Sequence, residues 1–165
     1  MDNIQKTTKA SFRACPISDR KMFHHSKCLM PISVGQKVHE CIKFLSTIRL
    51  INSSFKFCVI LVDDSVQRHT MKIIDHSNEE TLYNKAIQAG DAWLERNAKI
   101  YNQLTIPHEI LRWDKFLKHP DFKNKYALIV NLYDYDEFYR NTVNKNIDTF
   151  LSRYLERLEN KNDID

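Results

Sequence analysis

Ile32-Ser33-Val34-Gly35-Gln36-Lys37-Val38-His39-Glu40 decides how the chain is read. It closes a short apolar run, Cys28–Ser33 (CLMPIS), and holds one of the chain's only two glycines. A strand that stops at Ser-x-Gly and turns into a helix presents the serine hydroxyl at the mouth of a sheet. In an open α/β fold that is where ligands bind. A second block, Val62-Asp63-Asp64-Ser65-Val66-Gln67-Arg68-His69-Thr70, repeats the pattern, an apolar run breaking into a dense polar cluster. The two blocks together predict one site built from two strand ends.

Outward from these blocks the periodicity alternates. Pro31 pushes the first strand toward an edge or a bulge. Val38–Leu50 reads as a helix with Val38, Cys41, Ile42, Leu45 and Ile48 on one face, broken by Asn52-Ser53-Ser54. Phe55–Val62 (FKFCVILV) is nearly continuous in apolar character, as suits a parallel strand covered on both faces. Asn78–Leu104 is a long helix with a stripe of Leu82, Ala86, Ala89, Trp93 and Ile100, capped by Ser77 or Asn78. Pro107–Trp113 (PHEILRW) reads as a third strand. The remainder is helical, within Lys123–Tyr139 and over Asn141–Leu158, where Val143, Ile147, Phe150, Leu151, Tyr154 and Leu158 form the apolar face.

Strand–helix–strand–helix–strand is one half of a Rossmann-like α/β sheet, expected as a three-layer α/β/α arrangement with mostly parallel strands. No strand follows the third, so the second half of the sheet is expected to be missing and the Ser33 strand to lie at an edge. The expected organisation is a basic N-terminal arm over 1–27, a single Rossmann-like domain over 28–159 and a polar tail over 160–165. The arm carries Lys6, Lys9, Arg13, Arg20, Lys21 and Lys27, and is read either as a phosphate-tracking segment or as a solvated disordered one.

Composition narrows the class. At 165 residues and a net charge of +4, the chain has room for one core and only a weak preference for polyanions. Cys15, Cys28, Cys41 and Cys58 have no zinc-ligand spacing and read as reduced thiols of a cytoplasmic protein. No apolar run reaches the length of a membrane span, and the N-terminus lacks a signal-peptide core. There is no G-x-G-x-x-G and no Walker A, so neither dinucleotide nor P-loop nucleotide binding has support. A hydrolase triad of Ser33, His39 and Asp63 can be drawn, but G-x-S-x-G is absent. The seven histidines show no paired metal spacing, and no metal is expected.

Four segments, in order and at matching spacing, resemble tRNA-dependent cyclodipeptide synthases. They are Ser33-Val34-Gly35-Gln36-x-x-His39-Glu40, Asp64-Ser65-x-Gln67-Arg68-His69, Ala89-Gly90-Asp91-Ala92-Trp93-Leu94-x-Arg96-Asn97 and Arg112-Trp113-Asp114. The resemblance covers roughly Cys28 to Arg153. It implies a fold like the catalytic domain of class I aminoacyl-tRNA synthetases, without their ATP signatures. It implies aminoacyl-tRNA as partner, with no cofactor, no DNA and no membrane. Ser33 matches the nucleophile that takes an aminoacyl group from a first tRNA. A second aminoacyl-tRNA then reacts, and the dipeptidyl enzyme cyclises to a diketopiperazine. By the same resemblance Gly35, Gln36, His39, Asp64, Gln67, Arg68 and His69 lie around the substrate, and Lys85, Arg96 and Lys99 hold the tRNA. Cys41 stands where the matching branch of the family has glycine. The family's Tyr-x-x-x-Glu and second tyrosine, which follow a segment resembling Phe150 to Arg153, lie beyond Asp165. Two readings stay open: a cyclodipeptide synthase acting through Ser33, or a shortened, non-catalytic homologue that binds tRNA or a protein. In either case a homodimer or a partner chain covering the first strand is expected.

Overall fold

A computed structural model describes residues 9–13 and 15–162, with the backbone alone for 157–162. Three expectations therefore fall wholly or partly outside the described residues: Lys6 of the basic arm, the Leu158 side chain, and the end of the tail. The chain divides into two compact units, Met1–Leu117 and Lys118–Asp165.

The first unit is built on three parallel strands, β1 (Lys27–Ile32), β2 (Phe57–Val62) and β3 (His108–Arg112), in the order β1-β2-β3. The register pairs Ile32 with Val62 and Val62 with Arg112, so the three strands end level at one edge. Helix α2 (Cys41–Ser54) connects β1 to β2. The short α3 (Gln67–Met71) and the long α4 (Glu79–Tyr101) connect β2 to β3, and α5 (Trp113–Leu117) follows. Two right-handed crossovers stepping the same way across a sheet place both connecting helices on one face. The core shows this directly, because Met30, Ile32, Cys58, Ile60 and Val62 pack with Phe44, Ile48 and Ile51 of α2 and Trp93 of α4. The Phe44 and Trp93 rings meet at 5.3 Å. Asn78 caps α4, its side-chain oxygen accepting from the Thr81 N–H at 2.8 Å.

β1 is the edge strand among the described residues, and its edge is blunted. The Asp63 N–H bonds the Ile32 carbonyl and the Lys56 N–H bonds the Ser26 carbonyl, so the even-numbered residues face β2. The open edge then carries Leu29, which is 58% exposed, and Pro31, which has no N–H to offer. Pro31 thus marks an edge and not a bulge.

The first helix departs from expectation. Lys37–His39 is a 3-10 turn, and α2 begins only at Cys41 and runs through Asn52-Ser53-Ser54. Its buried face is Phe44, Ile48 and Ile51, while Val38 and Ile42 are exposed. The shift of start rotates the face, and nothing in the periodicity of so short an amphipathic run signals the preceding turn. Cys41 itself holds φ +50°, a left-handed conformation that costs an L-residue roughly 1–2 kcal/mol. The glycine expected at this position from the family resemblance therefore has a backbone reason.

Over its described residues the N-terminal segment holds α1 (Ile17–Arg20) and a 3-10 turn at Lys21–His25. Phe23 stacks on Phe55 at 5.3 Å, and Phe12 joins them at 5.2 Å from Phe23. Arg20 donates to the carbonyl of Cys15. The second unit is a pair of helices, α6 (Phe122–Tyr135) and α7 (Glu137–Asn162), tied by Tyr133 donating to Asn144 at 2.8 Å.

Replacing Cys41 by glycine should relieve the left-handed strain and raise unfolding free energy by about 1 kcal/mol. A urea melt that is unchanged or lower would show that the residue is unstrained.

Candidate functional site

Ser33 and Asp63 are the first residues beyond the paired ends of β1 and β2, side by side at the carboxyl edge of the sheet. Ser33 is exposed and opens a tight turn in which the Gln36 N–H bonds the Ser33 carbonyl at 3.2 Å. Gly35 sits third in that turn with φ +84°, a conformation open to glycine and costly for other residues. A Cβ at Gly35 would meet nothing within 4 Å, so its backbone conformation, not crowding, is what asks for glycine.

Two side chains brace this turn. His39 Nδ1 accepts the Ser33 N–H at 3.0 Å and stands 3.3 Å from the Ser33 carbonyl oxygen. From the second strand end, Gln67 Nε2 donates to the Val34 carbonyl at 2.7 Å. The 39–40 segment is anchored to α4 in turn. Trp93 Nε1 donates to the His39 carbonyl at 3.0 Å, and Glu40 accepts from Arg96 and Asn97, each at 2.9 Å.

The second strand end is organised from below. Asp64 is fully buried. One of its oxygens accepts from the Ser65 N–H at 2.7 Å and the other from Arg112 Nε at 2.5 Å. Arg112 also donates to Asp91 at 2.5 Å and to the Ile87 carbonyl at 3.0 Å. Burial works against the Arg112 charge, but its bonds to Asp91 and Asp64 outweigh that and hold its pKa above the ordinary value. Gly90 makes the arrangement possible, because a Cβ there would lie 2.6 Å from Asp64 Oδ2 and 2.9 Å from Arg112 Nη2. Arg68 completes the turn, donating to the Ser65 carbonyl at 2.6 Å and to Glu79 at 2.7 Å.

The predicted residues thus separate. Ser33, Gly35, Gln36, His39 and Gln67 come together at the strand ends. Asp64 and Arg68 lie beneath or beside them with their polar atoms engaged by protein, and His69 is exposed on α3. On α4, Lys85, Arg96 and Lys99 fall on one stripe spanning about 21 Å. Lys85 is paired with Asp75 at 2.6 Å and Arg96 with Glu40 at 2.9 Å, while Lys99 is exposed. The drawn triad does not form, since the His39 nitrogen nearest Ser33 is bonded to its backbone.

Sequence reasoning named Asp63 only in the drawn triad, and quoted Gly90 and Asp91 within a motif without giving either a role. Asp63 Oδ1 is shielded from solvent without a hydrogen-bond partner. Burial, with the neighbouring Asp64, pushes the Asp63 carboxyl above the usual range, and His39 pulls it partly back. Among the described residues no three His, Cys, Asp or Glu side chains are disposed to hold a metal ion, and no helix is long and apolar enough to cross a membrane.

The fold and the strand-end serine define a Rossmann-like α/β domain with its candidate site at the carboxyl edge of a parallel sheet. A CDPS from Fluoribacter dumoffii is 53% identical, with a TM-score of 0.87 over 90% of this chain and 66% of that one. The chain belongs to the cyclodipeptide synthase family. The fold recurs at 14% identity and a TM-score of 0.65 in the cyclodipeptide synthase of Candidatus Glomeribacter gigasporarum bound to Phe-tRNAPhe, over 84% of this chain and 62% of that one. It recurs again at 12% identity and 0.64, over 81% and 60%, in a Mycobacterium tuberculosis protein whose structure demonstrates that cyclodipeptide synthetases are related to type I tRNA synthetases. The chain spans just under two thirds of the length of these relatives. No protein-family model and no curated sequence matches it.

Alanine at Gly90 should cost about 3 kcal/mol in a urea melt, since the Asp64–Arg112 pair must separate or shift to admit a methyl group. A loss below about 0.5 kcal/mol would show that the pair has room to move.

Proposed function

We propose that this chain accepts an aminoacyl group from tRNA on Ser33 and passes it into a cyclic dipeptide. The observation that carries the reading is the exposed Ser33 at the carboxyl edge of β1, on a turn held by Gly35, His39 and Gln67. Ser33 Oγ attacks the carbonyl carbon of the aminoacyl ester, and the bond from that carbon to the tRNA ribose oxygen breaks. The Oγ proton goes to the departing ribose oxygen. One ester replaces another, so the step is close to thermoneutral, and positioning supplies much of the rate. The amine of the aminoacyl ester on Ser33 then attacks the ester carbonyl of a second aminoacyl-tRNA and expels that tRNA. The free amine of the resulting dipeptidyl enzyme closes on the serine ester, releasing a diketopiperazine and returning the Ser33 hydroxyl.

A relative bound to Phe-tRNAPhe supports aminoacyl-tRNA as the partner. The α4 stripe offers the backbone contacts through Lys99, which is exposed, and through Lys85 and Arg96, each about half exposed beside Asp75 and Glu40. Gly35, Gln36 and the braced turn would lie against the aminoacyl ester, with Gln67 and His39 setting the position of the turn.

Incubation with a mixed aminoacyl-tRNA pool, followed by intact-mass measurement, should show one added aminoacyl group, absent in Ser33→Ala. The mass increment would identify the amino acid. No adduct on folded protein would overturn the catalytic reading.

A further inference from the structure

We propose that His39 is a positioning residue whose Nδ1 holds the Ser33 turn only while it carries no proton, so that acidification releases the turn. The loss of rate this would cause rests on the reading of Ser33 as the acyl acceptor; the release itself does not.

The carbonyl and the N–H of a trans peptide point opposite ways. In the peptide joining Ile32 to Ser33, the carbonyl takes the Asp63 N–H at 2.9 Å on the β2 side. The Ser33 N–H therefore points to the open side of β1, where the sheet has no further strand among the described residues. A side chain fills that strand's place, with His39 Nδ1 3.0 Å from the Ser33 nitrogen. The same Nδ1 stands 3.3 Å from the Ser33 carbonyl oxygen, which already accepts the Gln36 N–H at 3.2 Å. One ring nitrogen thus faces both a donor and an acceptor of a single residue. Without a proton, Nδ1 accepts from the Ser33 N–H. With one, it meets that N–H donor to donor, and its remaining partner is the carbonyl that closes the turn through Gln36. Protonation sets the ring against the turn at both contacts.

The turn is the part that yields. The His39 backbone is tied through its carbonyl to Trp93, which is fully buried, whereas Ser33, Gly35 and Gln36 are exposed. The charges around the ring come from three elements. Asp63, at the end of β2, interacts with the ring electrostatically, and Asp64 behind it is held by Arg112. Glu40, next in the chain, is engaged by Arg96 and Asn97 of α4, and Lys37 stands on the same 3-10 turn as His39. Asp63 takes part in none of the ion pairs among the described residues, so it is the carboxylate left to attract an imidazolium.

An imidazole ordinarily changes charge between about pH 5 and 8, so the test is a titration of the full chain from pH 8 to pH 5, followed by long-range proton–nitrogen NMR. At pH 8, His39 Nδ1 should read as an unprotonated nitrogen. As it gains its proton, the Ser33, Gly35 and Gln36 amides should shift with the same midpoint, while the Trp93 indole N–H stays in place. His39→Asn offers an amide oxygen in place of Nδ1 and takes up no proton, so its turn amides should not titrate. Adduct formation on Ser33 from aminoacyl-tRNA should fall about tenfold across the wild-type midpoint and stay level in His39→Asn. A proton on Nδ1 at pH 8, no protonation by pH 5, or turn amides that ignore the ring's titration would each overturn the assignment. So would an amide titration that survives in His39→Asn and vanishes in Asp63→Asn, which would make Asp63 the titrating group. Coupled titration of ring and turn without any Ser33 adduct would support the switch and sink the acyl-transfer reading instead.

Discussion

Arg112 lies against helix α4 with its guanidinium shared among Asp64, Asp91 and the Ile87 carbonyl, and the site is built outward from that contact. A fully buried carboxylate is tolerable only when paired and hydrogen-bonded. Asp64 meets both conditions, through Arg112 and the Ser65 N–H. That requirement fixes the turn after β2, because Asp64 cannot leave without exposing a buried charge. The fixed turn places Gln67, Gln67 holds the Val34 carbonyl, and the Ser33 turn follows. The hydroxyl proposed to do chemistry is therefore positioned from a neighbouring strand.

The same logic explains how the helix serves the site. Gly90 lets α4 approach until Asp64 and Arg112 fill the space a Cβ would take. Three residues on, Trp93 fills the core and spends its N–H on the His39 carbonyl. One turn further, Arg96 and Asn97 clasp Glu40. One helix face thus fastens both strand-end loops.

Much of the architecture was legible in the sequence. Three apolar runs gave three parallel strands, and Asn78 capped the long helix as its position before Glu79 and Glu80 suggested. The Ser-x-Gly turn was readable because glycine at such a place has few other uses. The helix after it was misjudged, since Phe44 carries the buried face and a 3-10 turn precedes Cys41. The roles of Asp63 and Asp64 could not be separated, because alternation ends where the strand ends and a turn decides which side chain points inward. Gly90 sat within a quoted motif, yet its necessity depends on a carboxylate and a guanidinium brought from two other elements.

The central claim is that the buried Asp64–Arg112 pair sets the Ser33 turn through Gln67. Amide NMR of Arg112→Lys tests it most directly, because lysine keeps the charge and loses the fork that reaches three partners. The account predicts displaced or broadened Ser33, Val34, Gly35 and Gln36 amides while the core methyls of Ile48 and Ile60 stay in place. Perturbation confined to residues 63–65 and α4, with the Ser33 turn unmoved, would contradict it.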